Sequence, residues 1–159
     1  MEGFTVALAL VDAIPVLFFG GSMLVISSIF DSTLFMIGAI VAVVGGLCQV
    51  TWKLILGWKK VNVPALHLAF APLLAGGGIL MMLGLVLDHE KLNFPGMWAA
   101  VRSMPSLVLF IIGILALGLM VYFSKHMDQT SAKANWTEQI TNAVAQGCIF
   151  FALLAIALK

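Results

Sequence analysis

Five apolar stretches dominate this sequence, and each is long enough to cross a lipid bilayer. They run from about Gly3 to Phe30, Thr33 to Trp58, Pro64 to Leu87, Met97 to Phe123 and Trp136 to Leu158. A helix needs about 20 apolar residues to cross a hydrocarbon core about 30 Å thick. The pattern therefore predicts an all-α integral membrane protein, a bundle of five transmembrane helices that forms a single domain over residues 1–159.

The composition excludes several other classes of protein. Hydrophobic residues make up 62% of the chain and charged residues only 9%, whereas a soluble domain carries about 25% charged residues. Too little polar surface is left to cover a water-soluble domain, and a net charge of +1 does not attract polyanions. We expect the partner of this chain to be the lipid bilayer and not a nucleic acid.

The fifth stretch differs from the other four because its first third is polar. It begins with the residues WTEQITNAVAQ, and if these lie in the interface, the remaining twelve residues are too short to span. Four spans plus an interfacial C-terminal helix is therefore the alternative. Asn135 followed by Glu138 predicts a capping box at the start of this helix.

Lysine and arginine near the span ends predict the orientation. One side of the membrane receives five basic residues and the other receives three. The first group consists of Lys53, Lys59, Lys60, Lys125 and Lys133, and the second of Lys91, Arg102 and Lys159. We expect a multi-pass protein of a cell membrane with its N-terminus in the cytoplasm and its C-terminus outside.

Small residues and prolines indicate how the helices pack. The second stretch places Gly38, Ala42 and Gly46 on one face, and small residues let membrane helices approach closely. This face is predicted to pack helices together, and a homo-oligomer through it is one expectation. Pro15, Pro72 and Pro105 lie inside three of the stretches and predict kinks there.

Asp12 is the most informative polar residue in the sequence. It lies nine residues into the first predicted span, which is about 13 Å deep at 1.5 Å per residue. A short side chain at that depth does not reach water, and an ionised group in hydrocarbon is costly unless it is paired or hydrated. We expect Asp12 to be ion-paired with Lys53, protonated, or bound to a cation or polar solute.

Further polar residues fall in the same, cytoplasmic half of the predicted spans. Gln49 and Gln146 are expected at about the depth of Asp12, and Lys53 and Glu138 nearer the cytoplasm. Together with Asn142 they predict a hydrogen-bonded network or a water-filled pocket between the first, second and fifth spans. Each of these residues also has a purely structural interpretation. Lys53 can extend its ammonium to the interface, and Glu138 can act only as a capping partner. The amide side chains can hold helices together through hydrogen bonds.

These features favour a transporter or channel-like protein for a cation or small polar solute. The candidate binding residues are Asp12, Gln49, Lys53, Glu138, Asn142 and Gln146. One alternative is a non-catalytic membrane subunit or assembly factor, and a second is an intramembrane lipid-modifying enzyme. The sequence carries no metal-binding or haem-binding motif, so no cofactor is expected, and an enzyme is the less favoured interpretation.

Overall fold

The computed structural model describes residues 5–128 and 131–158, and this part of the chain contains helices but no strand. In chain order the elements are α1 (Val6–Ile29), α2 (Thr33–Lys59), α3 (Pro64–Leu87), a 3-10 turn (His89–Lys91), α4 (Phe94–Val101), α5 (Ser106–His126) and α6 (Ala132–Ala157). All but α4 and the 3-10 turn are long and apolar enough to cross a membrane. The predicted all-α bundle with five membrane-spanning helices is confirmed.

The last helix is continuous from its polar start to its apolar end. α6 contains 26 residues and is about 39 Å long at 1.5 Å per residue, so the alternative with an interfacial C-terminal helix does not apply. The expected capping box at Asn135 and Glu138 is wrong. Ser131 caps α6 instead, because its hydroxyl accepts a hydrogen bond from the backbone N–H of Ala134.

The fourth apolar stretch, expected from about 97 to 123, is divided into two helices. α4 ends at Val101, and α5 begins at Ser106, directly after Pro105. Proline has no backbone N–H, and its ring clashes with the preceding turn of a helix, which ends helices at such positions. The expected kink at Pro105 is therefore a full break, and α4 is too short to span.

The spatial order of the long helices is α3, α2, α1, α6 and α5, with each packed on the next. Within residues 5–128 and 131–158, no Cα atom of α3 lies within 8 Å of one of α5. The helices therefore form an arc that backbone packing does not close. α1 lies at the centre of this arc, between α2 and α6, which are the first, second and fifth predicted spans.

The tightest packing in the arc is between α2 and α3. A Cβ atom added to Gly38 would lie 2.6 Å from the backbone nitrogen of Met81, and one added to Gly77 would lie 2.6 Å from that of Ala42. Only glycine permits so close an approach of two backbones. The third small residue of this predicted face, Gly46, contacts Val16 of α1.

These contacts differ from the expectation that the Gly38, Ala42 and Gly46 face joins two copies of the chain. Gly38 and Ala42 are covered by α3, and Gly46 by α1. The small side chains serve packing inside one chain, because they let neighbouring helices of the same arc approach. A second copy has no access to this face in the folded arc.

Candidate functional site

Three charged side chains lie at one level of the arc. Asp12 follows the start of α1 by six residues, Glu138 follows the start of α6 by six, and Lys53 precedes the end of α2 by six. Each is about 9 Å from its helix end at 1.5 Å per residue. We call Asp12, Lys53 and Glu138 the charged layer. Asp12 is shallower than the expected 13 Å because α1 begins at Val6, directly after its N-cap residue Thr5.

Asp12 and Lys53 form an ion pair within the charged layer. Oδ2 of Asp12 lies 2.8 Å from Nζ of Lys53, and each side chain is only 10% exposed. Of the three states expected for Asp12, the structure shows this pairing with Lys53. It also shows that Lys53 does not extend to the interface, because its ammonium is held by α1.

Glu138 has no comparable partner. In the described part of the chain, no lysine, arginine or histidine nitrogen lies within 4.0 Å of its carboxylate. Its side chain is half-buried. Because α6 is capped by Ser131, Glu138 lies in the second turn of the helix and is not a capping partner.

A second polar level lies about one turn deeper. Gln49 precedes the end of α2 by ten residues and Asn142 follows the start of α6 by ten, which is about 15 Å at 1.5 Å per residue. Gln146 lies four residues deeper than Asn142. The expectation that Gln49 and Gln146 reach the depth of Asp12 is wrong, because Asp12 lies only six residues into α1 and because α6 begins at Ala132 and not at Trp136.

The Gln49 side chain is held by α3. Oε1 of Gln49 lies 3.2 Å from Nδ1 of His67 in a hydrogen bond, and the His67 ring stacks on Trp52 at 4.4 Å between ring centroids. The indole N–H of Trp52 in turn donates to Oδ1 of Asn62, at 2.9 Å. This cluster fixes the rim of the site on the α2–α3 side.

The charged layer and the amides enclose a cavity of about 280 Å³, which we call the polar cavity. Five of the six candidate residues line it. Its lining residues are Asp12, Pro15, Val16, Gly46, Gln49, Lys53, Phe70, Met120, Glu138, Gln139 and Asn142. An adjoining cavity of about 220 Å³ shares five of these residues and adds the sixth candidate, Gln146.

Six lining residues are absent from the sequence-based candidate set: Pro15, Val16, Gly46, Phe70, Met120 and Gln139. Gln139 is not one of the sequence-based candidates, but its side-chain oxygen is buried and has no hydrogen-bond partner among the described residues. Phe70 of α3 and Met120 of α5, the two end helices of the arc, also line the polar cavity. Both are ordinary apolar residues in apolar helices, so no signal in the sequence distinguishes them.

The polar cavity contains several hydrogen-bond acceptors in its lining. It is lined by two carboxylates and one ammonium, so one negative formal charge is uncompensated. The unpartnered oxygen of Gln139 adds a neutral acceptor. No three His, Cys, Asp or Glu side chains in the described ranges are grouped to hold a metal ion.

Comparison with known proteins adds no assignment to this geometry. No protein-family model, no curated protein and no solved structure matches the chain. The fold and the polar cavity are therefore the basis for any statement about what this multi-pass membrane protein does.

Proposed function

We propose that this chain binds and moves a small organic cation with N–H donors through the polar cavity. The proposal rests on one observation. The Asp12–Lys53 pair is neutralised inside the chain, whereas Glu138 in the same cavity has no counter-ion among the described residues. Ionisable groups inside the membrane are costly and mark ion and substrate paths by default, so the unpaired carboxylate favours a cationic solute.

The residues around Glu138 suit a cation that donates several hydrogen bonds. The Glu138 carboxylate accepts charge-assisted hydrogen bonds, and a planar guanidinium can form two of them in parallel. The buried Gln139 oxygen accepts a further one, and Asn142 lines the same wall. Asp12 and Lys53 hold α1 against α2 beside this wall and contribute no net charge.

The polar cavity also has features that transport requires. It lies within the spans, where membrane transporters place their solute sites. Pro15 lines it and interrupts the hydrogen bonding of α1 at that level. In the predicted orientation the charged layer is nearer the cytoplasm, so a solute at Glu138 is closer to that side than to the other.

Uptake of radiolabelled guanidinium into proteoliposomes tests this proposal. Guanidinium stays charged at neutral pH, so it does not cross the lipid as a free base. We expect faster uptake into vesicles with the protein than into protein-free vesicles. Glu138→Gln is expected to reduce this uptake at least tenfold.

The matched control is Glu90→Gln. Glu90 is an exposed carboxylate in the 3-10 turn at the opposite end of α3 from His67, and its neutralisation should leave uptake unchanged. Uptake equal to that of protein-free vesicles would overturn the proposal. So would equal uptake by the wild type and Glu138→Gln.

The structure also favours a second candidate, a non-catalytic membrane subunit or assembly factor. Asp12 has its counter-ion inside the chain at 2.8 Å, so the pair stabilises the arc without any solute. Under this interpretation Glu138→Gln changes no flux, and the protein co-purifies with a partner from its native membrane in a fixed ratio. The guanidinium measurement therefore separates the two candidates.

A further inference from the structure

The polar cavity continues along the arc toward the middle of the membrane. It shares Pro15, Val16, Gly46, Phe70 and Asn142 with the adjoining cavity, so the two form one groove. Along α6 the groove extends from Glu138 to Gln146, eight residues or about 12 Å at 1.5 Å per residue. This is longer than a guanidinium ion requires.

The deeper end of the groove opens toward lipid. Leu74 lines the adjoining cavity and is nevertheless 41% exposed. It follows the start of α3 by ten residues in a helix of 24, about 15 Å from that end at 1.5 Å per residue. A residue that lines a cavity and is exposed marks its opening, and this opening lies near the middle of α3, where a spanning helix is expected to pass the centre of the hydrocarbon core.

The arc leaves this opening uncovered by backbone. α3 and α5 contribute Phe70 and Met120 to the polar cavity, but α5 contributes no residue to the deeper cavity, and in the described ranges the Cα atoms of α3 and α5 nowhere lie within 8 Å of each other. A molecule dissolved in the bilayer can therefore reach the groove from the side. It does not need to pass through the water at the helix ends.

The groove changes in chemistry along its length. Its shallow end carries the charged layer, about 9 Å from the helix ends. Its deep end is walled by Val16, Phe19 and Leu74, with the amides of Asn142 and Gln146 on the α6 side. An amphiphile in a leaflet has its polar head near the surface and its apolar chain toward the centre, so its orientation matches that of the charged and apolar ends of the groove.

We propose that the solute of the polar cavity is a single-chain amphiphilic cation that enters from the adjacent leaflet between α3 and α5. Its charged head binds at Glu138 and Gln139, and its chain lies along Phe19 and Leu74. This inference rests on the proposed function, since it specifies the solute of the same site. The alignment of groove and leaflet lets the molecule enter without reversing its orientation.

Saturable binding to the full chain in nanodiscs of a zwitterionic lipid tests this inference. The probes are radiolabelled guanidinium, octylguanidinium and neutral octanol, each corrected for binding to empty nanodiscs. We expect octylguanidinium to bind at least tenfold more tightly than guanidinium, and octanol to show no saturable binding. Glu138→Gln is expected to weaken the binding of both cations at least tenfold.

A variant at the opening provides an independent measurement. Leu74→Trp narrows the groove, and Ile79→Trp places the same bulk on α3 at a position that is 61% exposed and lines neither cavity. We expect Leu74→Trp to weaken octylguanidinium binding at least fivefold and to leave guanidinium binding unchanged, while Ile79→Trp affects neither.

The outcomes separate the inference from the proposed function. If guanidinium binds through Glu138 but octylguanidinium binds no more tightly, the amphiphile is excluded and the small-cation function stands. If neither cation shows binding that depends on Glu138, both are overturned. The comparison of chain lengths uses the wild-type protein, so it decides the question even if Leu74→Trp does not fold.

Discussion

The ammonium of Lys53 lies 2.8 Å from the carboxylate of Asp12, and this pair joins α2 to α1 inside the membrane. Each side chain is only 10% exposed. Two charges removed from water cost several kcal/mol each, which their mutual attraction offsets only while both are present. The two charges therefore stabilise the α1–α2 contact only as a pair.

Removing one partner of the ion pair should lower the free energy of unfolding more than removing both partners does. Lys53→Met leaves a buried carboxylate without a counter-ion, which costs about 3 to 5 kcal/mol. The double variant Asp12→Asn with Lys53→Met removes both charges and should regain most of that loss. Chemical unfolding of the purified protein in detergent micelles measures both effects.

Lys59→Met is the control for this measurement. Lys59 is exposed at the end of α2, where its ammonium lies 5.8 Å from the ring centroid of Trp58, and its loss should cost no more than about 1 kcal/mol. Equal destabilisation by Lys53→Met and Lys59→Met would show that the buried pair does not stabilise the arc.

The α2–α3 contact predicts a sharp difference between neighbouring glycines. A Cβ at Gly77 would lie 2.6 Å from backbone atoms of α2, whereas Cβ atoms at Gly76 and Gly78 would meet nothing within 4 Å. Gly77→Ala should lower the free energy of unfolding by about 1 to 3 kcal/mol, the cost of overpacking. Gly76→Ala and Gly78→Ala should not lower it, since alanine favours the helix.

Thermal unfolding of the three alanine variants in one detergent gives the comparison directly. The substitutions are chemically identical and lie on consecutive residues, so differences in expression or micelle binding largely cancel. A Gly77→Ala variant as stable as Gly76→Ala would mean that α3 does not pack on α2 through this residue.

The number of spans and several helix ends could be predicted from the sequence because local chemistry determines them. Ser32 caps α2 by accepting from the backbone N–H of Phe35, and Pro64 lies in the first turn of α3. Both residue types favour these positions in any helix. The break at Pro105 could not be read from hydropathy, because the apolar sequence continues across it.

The start of α6 shows where local signals compete. Ser131 and Asn135 both suit a helix N-cap, and they are one turn apart. The structure uses Ser131, which places the first-turn residue Ala134 in a buried position. Both residue types favour an N-cap, and the use of Ser131 places Gln146 deeper than expected.

The grouping of the site was predictable in part. Asp12, Lys53 and Glu138 are rare charges in apolar helices, and counting along helices placed them in the same half of the membrane. Phe70 and Met120 were not predictable, because they depend on which helices form the rims of the arc. That order follows from contacts such as Gly38 against Gly77, which involve residues far apart in the sequence.

The contacts of Asp88 predict how the stability of the protein changes with pH. Asp88 lies beside the start of α2, at the opposite end of that helix from Lys53. Its carboxylate accepts a hydrogen bond from the Ser32 hydroxyl at 2.6 Å and lies 3.1 Å from the Lys91 ammonium. The Ser32 hydrogen bond first, and then Lys91, hold the pKa of Asp88 below its ordinary value of 3.8. The charged form is therefore favoured in the folded protein.

A lowered folded pKa means that the stabilisation is present above pH 3.8, the ordinary value, and is lost as the pH falls from there through the folded pKa. Asp88→Asn should therefore lower the unfolding midpoint at pH 6, and the difference from the wild type should shrink below about pH 4. Thermal unfolding between pH 3 and 7 checks this.

Asp31→Asn is the matched control for Asp88. Asp31 is an exposed neighbour that contributes its backbone oxygen, and not its carboxylate, to the hydrogen bond with Lys91. The unfolding midpoint of Asp31→Asn should differ little from that of the wild type. A flat pH profile for Asp88→Asn would contradict the stabilising role of the Asp88 carboxylate.

Single cysteines on either side of α3 test the predicted orientation. In a background with Cys48 and Cys148 replaced by alanine, Lys60→Cys lies before α3 and Glu90→Cys lies after it. The excess of lysine near Lys60 predicts that this loop is cytoplasmic. An impermeant maleimide should label Glu90→Cys in intact cells, and Lys60→Cys only after the membrane is permeabilised.

The two positions check each other because one helix separates them. If Lys60→Cys is labelled in intact cells and Glu90→Cys is not, α3 spans the membrane but the orientation is reversed, and the charged layer lies nearer the outside. If both are labelled equally in intact cells, α3 does not cross the bilayer. Since α3 forms one rim of the groove and carries Leu74, that result would also remove the opening toward lipid.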